Sequence, residues 1–334
     1  MELVLTYDMR APDFGTPTRE LHAAALDQAA WGDDLGFDLI GLGEHHASPD
    51  GYNPSPLVLA AAMGARTGRI KLRTSVLLAP LYDPIKLAED AAVTQIVTGG
   101  RLLLGIGGGY RPAEFAMFGR HLEDRWSDLG DTIELLRLAW TGEPFEWRGR
   151  PCHVTPRPDP PPPILLGGST PAAARRAARI ADGWLPPLEP ALWPPYREAR
   201  IAMGEPDPGP YPTQGPIFLW IAEDVDAGWD LVLPHCLHQM RSYASWTAEA
   251  FGKPAGPYAG RVTAETVRGS DAYKVVTPDE AIALAETLGP GAVLYLNPLL
   301  AGIPPDASWA MLRLYEREVH PAVVELRARE RDGA

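Results

Sequence analysis

Cysteine is scarce in this chain of 334 residues. Cys152 and Cys236 are its only thiols, and they lie far apart in the sequence. A disulfide framework, or a zinc site made of cysteines, needs more thiols at closer spacing. We therefore expect two free thiols, both buried as small apolar side chains.

Long apolar runs and excess positive charge are also missing. No uncharged apolar stretch reaches the ~18 residues of a membrane span, and no secretory signal follows Met1. The 43 acidic residues outnumber the 30 basic ones, which gives a formal net charge of -13. Nucleic acid and anionic membrane surfaces repel such a chain. We expect a soluble cytoplasmic protein with no nucleic-acid partner and no membrane partner.

Strand-like and helix-like segments alternate along the chain. Between the runs ELVLTYD and RLLLGIGGG the alternation repeats with short joints, which predicts parallel strands joined by crossover helices. About eight strand candidates occur in all, and they favour an α/β fold, a single (β/α)8 TIM-type barrel spanning residues 1–334. Insertions are expected in the strand-end loops, above all around 187–213. A doubly wound sheet is the alternative, although no G-x-G-x-x-G follows the first strand.

The candidate site residues fall at the predicted strand ends. In a barrel of this kind the carboxyl ends of the strands converge on one face, and sites are built there. Four groups of residues lie at such ends: Glu44, His45 and His46; Thr74, Ser75 and Val76; Gly107, Gly108 and Gly109; and Gly167, Gly168, Ser169 and Thr170.

The adjacent histidines His45 and His46 follow the apolar run LIGLG. Neighbouring residues of a strand point to opposite faces, so we expect one histidine to act in the pocket and the other to support it. A histidine with an ordinary pKa near ~6.5 can transfer protons at neutral pH. A polar pair at a barrel rim without catalytic function is the alternative. A divalent metal site would need third and fourth ligands, and we predict none.

The stretch LLGGSTPAAARR predicts a strand, a glycine turn and a capped helix. The amides and the positive dipole end of such a helix suit a phosphate group, although an ordinary capped helix explains the same letters. The run GIGGGYRP lets a flat ring or a backbone approach closely, because glycine has no Cβ. A flexible turn is the alternative for this second motif.

Taken in order, these motifs resemble a known family. The stretch from GLGEHHASPDGYNP to GIGGGYRPAEFAMFG is similar to the bacterial luciferase-like flavin-dependent oxidoreductases. The likeness is strongest over residues 37–186 and weaker from TPDEAIALAETLG onward. It implies a barrel that binds reduced FMN or, in a related branch, a deazaflavin. It also implies a homodimer.

The resemblance gives roles to the histidine segment and to the third predicted strand. His45 would act beside the reactive edge of the flavin, as acid or base or in stabilising an oxygenated flavin, with His46 and Glu44 in support. The letters TSV match an unusual cis peptide that would fall between Ser75 and Val76 and lie behind the flavin ring.

The resemblance also gives roles in holding the cofactor phosphate. The letters GGST, residues 167–170, match a phosphate cradle. Some relatives carry an arginine where this chain has Gly108, so the charge must come from elsewhere, and Arg111 is the candidate.

The leading functional hypothesis is a monooxygenase that uses reduced FMN and O2 to oxidise a small organic substrate. A separate reductase would supply the reduced flavin, because no dinucleotide fingerprint is visible. The alternatives are a deazaflavin-dependent dehydrogenase or reductase, a flavin-binding protein without activity, and a metal-dependent hydrolase. The aromatic candidates for lining the pocket are Trp31, Tyr110, Phe115, Phe118 and Trp184.

Overall fold

The computed structural model describes residues 1–332. Its strands, in chain order, are β1 (Glu2–Tyr7), β2 (Leu39–Leu42), β3 (Lys71–Thr74), β4 (Leu77–Leu78), β5 (Leu102–Gly107), β6 (Phe145–Trp147), β7 (Arg150–Cys152), β8 (Ile164–Leu166), β9 (Gly183–Trp184), β10 (Phe218–Ile221), β11 (Tyr273–Val276) and β12 (Val293–Leu296).

The helices alternate with these strands. They are α1 (Thr18–Leu35), α2 (Pro56–Gly64), α3 (Pro84–Val97), α4 (Pro112–Met117), α5 (Arg125–Ala139), α6 (Pro171–Ile180), α7 (Trp193–Ala202), α8 (Val225–Phe251), α9 (Ala264–Arg268), α10 (Pro278–Leu288), α11 (Pro305–Leu314) and α12 (His320–Asp332). None of the helices in residues 1–332 is both long and apolar enough to cross a membrane.

Local sequence signals set several of the helix starts. Asp83 precedes Pro84 and accepts hydrogen bonds from two amides in the first turn of α3. Thr277 and Glu280 cap α10 reciprocally, each side chain accepting from the other residue's backbone amide. These caps satisfy amides that have no partner inside a helix, so the helices begin where the sequence places the caps.

The chain divides into two compact units, and the first comprises residues 1–40, 48–53 and those from 212 onward. In its sheet the strand order is β12-β1-β2, and β1 runs parallel to β12 with Leu3 opposite Leu294. Leu3, Val4 and Leu5 are all fully buried, as expected for a parallel strand covered on both faces. β10 and β11 form a second parallel pair.

The second unit comprises residues 41–47 and 54–211. Its strand order is β2-β3-β5-β8-β9, with β4 also paired to β5, and the pairs β3–β5, β4–β5, β5–β8 and β8–β9 are parallel. β6 and β7 form an antiparallel hairpin. Leu104 and Ile106 of β5 belong to the core cluster of this unit, together with Leu135 and Leu136 of α5.

The parallel strands and crossover helices confirm the predicted α/β class, but some boundaries differ. The predicted strand IKLRTSVLLAP is broken into β3 and β4, and the predicted terminal helix contains a π-helical turn, Tyr315–Val319. Both thiols are free as expected; Cys236 is buried, but Cys152 is only partly so, because it ends the hairpin strand β7. The prediction of one barrel domain with an insertion around 187–213 stays a prediction.

Candidate active site

The Glu44-His45-His46 segment begins two residues after the end of β2 and is buried. The exposed fractions of these three residues are 2%, 7% and 8%. Because the strand ends at Leu42, the two histidines are not held to the alternation of a strand. Each histidine instead bonds a different glutamate, and the two glutamates give the two rings different environments.

Glu114, near the start of α4, binds His45. The Nδ1 atom of His45 lies 2.8 Å from Oε1 of Glu114, and the same oxygen accepts the backbone amide of His46 at 2.9 Å. Burial alone raises the pKa of Glu114, but the hydrogen bond and charge of His45, the His46 amide and the charge of Arg111 outweigh it, so the pKa lies below its ordinary value. An ionised carboxylate only accepts hydrogen bonds, so we assign the proton to Nδ1 of His45. In the neutral ring, Nε2 is then the basic nitrogen.

Glu44 holds His46 and connects it to the end of β4. Oε1 of Glu44 lies 2.9 Å from Nε2 of His46 and accepts the hydroxyl of Tyr82 at 2.6 Å. Its Oε2 accepts the backbone amide of Leu78 at 2.6 Å. Glu44 therefore fixes the orientation of the His46 ring, and its contacts fit the supporting role that the sequence predicts.

The peptide bond between Ser75 and Val76 is cis, as the resemblance predicts. Val76 lies against the ends of two strands, because a Cβ at Gly107 would come within 2.7 Å of its side chain and one at Gly167 within 2.6 Å. Thr74 is buried and donates its hydroxyl to the carbonyl of Gly105 at 2.6 Å. Ser75 is exposed. The absence of both Cβ atoms lets Val76 form part of the floor at these strand ends.

The GGST motif immediately precedes α6 and supplies its N-cap. Gly168 has a φ of +133°, which other residues rarely adopt. Thr170 is the N-cap, and its hydroxyl accepts the amide of Ala173 at 3.1 Å, while Pro171 occupies the first helical position. Ser169 is exposed. The geometry is that of a helix N-terminus able to bind an anion.

Arg111 lies with the histidines. It is 4% exposed, and its Nη1 donates to the carbonyl of His46 at 2.7 Å and approaches Oε1 of Glu114 at 3.3 Å. These contacts support the segment that carries His45. The role of Arg111 at a phosphate stays a prediction.

Two of the aromatic candidates contact the histidines. The ring of Tyr110 meets that of His45 edge-on at 5.8 Å, and the ring of Phe118 meets that of His46 at 4.7 Å. Phe115 is buried beneath the glycine turn, where a Cβ at Gly109 would come within 2.9 Å of it.

The other two aromatic candidates pack elsewhere. Trp184 stacks on Trp193 in the core of the second unit, with ring centroids 6.1 Å apart. Trp31 belongs to the first unit, where it donates to Glu316 and packs edge-on against Trp309.

Sequence reasoning missed Glu114, Tyr82 and Trp126. Glu114 follows Arg111, the residue that precedes α4, by three positions, a spacing that can bring the two side chains to one side of the helix start. That signal was present in RPAEF but is weak by itself. Tyr82 and Trp126 carry no local signal, because only the tertiary structure brings Tyr82 to Glu44 and Trp126 to Gly108. Within residues 1–332, no group of three or more His, Cys, Asp or Glu side chains is arranged to hold a metal ion.

Comparisons with a family model and with a solved structure both find monooxygenases. Residues 6–290 match the model of the luciferase-like monooxygenase family. A monooxygenase from Streptomyces bottropensis, RslO1, superposes with a TM-score of 0.77 at 25% identity, covering 96% of this chain and 99% of that chain. This likeness agrees with the predicted barrel fold.

Two curated relatives match over shorter segments. The oxygenase component of flavin-dependent trigonelline monooxygenase from Acinetobacter baylyi is 31% identical over 39% of this chain and 37% of the relative. The F420-dependent glucose-6-phosphate dehydrogenase of Nocardia farcinica is 32% identical over 45% of each. Among the first curated relatives, the match spans only 32% to 40% of the relative's length.

Proposed function

Because the chain belongs to the luciferase-like monooxygenase family, we propose that it is a flavin-dependent monooxygenase that uses reduced FMN and O2 to oxidise a small organic substrate. The observation that carries this proposal is the buried His45–Glu114 pair at a strand end, which presents a basic nitrogen. A separate flavin reductase is the proposed partner. The Acinetobacter relative, named as the oxygenase component of a flavin-dependent enzyme, supports that partner.

The residues present fit a flavin mononucleotide. Gly107 and Gly167, at two strand ends, have no Cβ and both lie against Val76. The surface that they leave suits a flat ring. The buried Oε2 of Glu114 has no hydrogen-bond partner within residues 1–332, so an acceptor remains for a donor of the bound group. The N-terminus of α6 suits the phosphate.

Each side chain then has a defined task. The amides at the start of α6 bind the phosphate, and Val76 supports the ring. Nε2 of His45 accepts or returns a proton, and Glu114 stabilises the charged ring when it holds one. Tyr110 and Phe118 pack on the histidines and exclude water. The bound reduced flavin supplies the two electrons that activate O2.

Deazaflavin-dependent hydride transfer is the second candidate function. The likeness to an F420-dependent dehydrogenase favours it, and the proton chemistry of His45 serves it equally well. A flavin-binding protein without activity is a candidate of another class, and the buried His45–Glu114 pair argues against it because the pair presents a basic nitrogen suited to proton transfer.

Anaerobic titration with reduced FMN and, in parallel, with reduced deazaflavin F420 separates these candidates. We expect tight binding of reduced FMN and, after mixing with O2, a transient change in absorbance by stopped flow. Selective binding of the deazaflavin without an oxygen-dependent change would replace the proposal by hydride transfer. A protein that binds flavin, and whose reaction with O2 is the same in the wild type and in His45→Ala, would favour the non-catalytic protein.

We also propose a cytoplasmic homodimer. The exposed apolar side chains Val58 on α2 and Val93, Ile96 and Val97 on α3 support an interface on these helices. The free thiols Cys152 and Cys236 are compatible with a reducing compartment.

A further inference from the structure

Two arginines lie over one indole ring at the surface of the second unit. Trp126, in the first turn of α5, is 41% exposed. The guanidinium of Arg176 lies 4.1 Å from the centroid of its ring, and that of Arg125 lies 4.7 Å away. Such stacking fixes the position of a guanidinium while leaving its N–H groups available at the ring edge.

These two arginines carry charge that the described chain does not neutralise. Within residues 1–332 neither Arg125 nor Arg176 has a carboxylate within ion-pair distance, although the chain as a whole has a net charge of -13. Burial lowers the pKa of Arg176, and the charges of Arg179 and Arg125 lower it further. Like charges held together without a counter-ion indicate a place where an anion binds.

The arginine pair lies beside the glycine turn that follows β5. A Cβ at Gly108 would come within 2.5 Å of the Trp126 ring, so the indole occupies the space that a side chain at this position would need. Arg176 belongs to α6, whose first residues follow the GGST motif. Side chains of a helix lean toward its N-terminus, which directs the Arg176 side chain toward the cap at Thr170.

From this arrangement we infer that Arg176, oriented by the indole of Trp126, binds the phosphate monoester of the flavin together with the N-terminus of α6. The inference rests on the proposed function, because it needs a cofactor with a phosphate. Some relatives hold the phosphate with an arginine at the position of Gly108, and the sequence suggested Arg111 as its replacement. The inference assigns this positive charge to Arg176 instead. Arg111 is held instead by the His46 carbonyl and Glu114.

A dianionic phosphate fits this position better than a neutral group. A guanidinium binds phosphate through paired hydrogen bonds, and the helix dipole acts in the same direction. The site should therefore distinguish FMN from riboflavin, which has the same ring without phosphate. It should also lose affinity for FMN as salt rises, since part of the attraction is between charges.

The test compares the binding of FMN and riboflavin by fluorescence quenching in the wild type and Arg176→Gln. We expect Arg176→Gln to weaken FMN binding about tenfold or more, to leave riboflavin binding within twofold, and to flatten the salt dependence of FMN binding. Arg176→Lys should recover part of the affinity because it keeps the charge. Arg175→Gln, an exposed arginine on the same helix, is the matched control and should behave as the wild type.

The outcomes separate this inference from the proposed function. Equal loss of FMN and riboflavin affinity in Arg176→Gln, or no loss of either, overturns the role of Arg176. A wild type that binds both flavins equally also overturns it and leaves the flavin proposal standing. A wild type that binds neither flavin overturns the proposed function, and this inference with it.

Discussion

Glu114 is the carboxylate that binds the ring of His45. It is fully buried, and its Oε1 receives both the His45 ring and the His46 amide. Because its pKa lies below the ordinary value, the carboxylate stays charged at neutral pH and favours a proton on the neighbouring ring. We propose that it is a positioning residue that acts through His45.

Glu114→Gln should slow the oxygen reaction about 100-fold while reduced FMN still binds, because a neutral amide holds the ring but stabilises a protonated imidazole poorly. Single-turnover stopped flow at several pH values measures the rate, and anaerobic titration measures binding. Glu123→Gln, an exposed change close in sequence, is the control. An unchanged rate and pH profile in Glu114→Gln would show that Glu114 only packs.

Arg10 of the first unit is a second buried charge. Its guanidinium lies 3.0 Å from Oδ2 of Asp50 and 4.6 Å from the centroid of the Trp246 ring. Oδ2 of Asp50 also lies 2.7 Å from Nε2 of His238. Burial alone raises the pKa of Asp50, but these hydrogen bonds and the charge of Arg10 lower it well below its ordinary range.

Asp50→Asn should reduce the free energy of unfolding by about 2 kcal/mol at pH 7, because it removes the nearer of the two carboxylates that face the buried Arg10 and leaves only Asp8, 3.9 Å away. A carboxylate with a lowered pKa stabilises the fold above its unfolded pKa of ~3.9 and loses that contribution as the pH falls below it. The difference between wild type and variant should therefore shrink below pH ~4. Urea unfolding at pH 7 and at pH 3 measures it, with the exposed change Asp13→Asn as control. A difference that does not depend on pH would contradict the charge argument.

At the scale of elements, the glycines at the ends of β5 and β8 leave the space of a Cβ atom for the side chain of Val76. Gly107 and Gly167 both lie against Val76, directly after the cis peptide. A single added methyl at either strand end has no room unless Val76 moves.

Gly167→Ala should weaken FMN binding, and should cost about 1 to 3 kcal/mol of stability through overpacking. Val76→Ala in the same chain should restore much of both losses, because it removes the colliding methyl groups. Gly130→Ala, where a Cβ meets nothing within 4 Å, is the control. Isothermal titration and chemical unfolding of the two single variants and the double variant give the coupling free energy between positions 167 and 76, for FMN binding and for stability. Strictly additive effects would contradict the proposed contact.

At the scale of the whole molecule, α2 and α3 bear exposed apolar side chains that a soluble protein usually covers. Val58 is 72% exposed and Ile96 is 48% exposed. Both helices belong to the second unit, and they carry the interface that we propose for the homodimer.

A chain carrying both Val58→Lys and Ile96→Lys should sediment as a monomer while the wild type sediments as a dimer, since charge on the apolar face opposes association. Analytical ultracentrifugation at micromolar concentration measures the mass. Met203→Lys, an exposed apolar residue on the loop after α7, should leave the dimer intact. A monomeric wild type would remove the homodimer proposal.

The sequence by itself determined the main alternation of strands and helices, the family, and the strand-end positions of the histidine pair, the cis peptide and the GGST cap. The strand ends and the cap depend on neighbouring residues, because local chemistry sets them, whereas the cis peptide was predicted from the resemblance to the family. The broken third strand, the short strands β9 and β11, and the short helices α4, α7 and α9 were not predicted, since their sequences carry little periodicity.

Only the tertiary structure decided which side chains meet. His45 and Glu114 are 69 residues apart in sequence, and Trp126 reaches Gly108 and Arg176 from a third element. The crossover helices of a parallel sheet bring successive strand ends together, so the partners of a strand-end residue lie far from it along the chain. The sequence therefore located the histidine that we propose to act, and the fold supplied the carboxylate that orients it and the arginine that we assign to the phosphate.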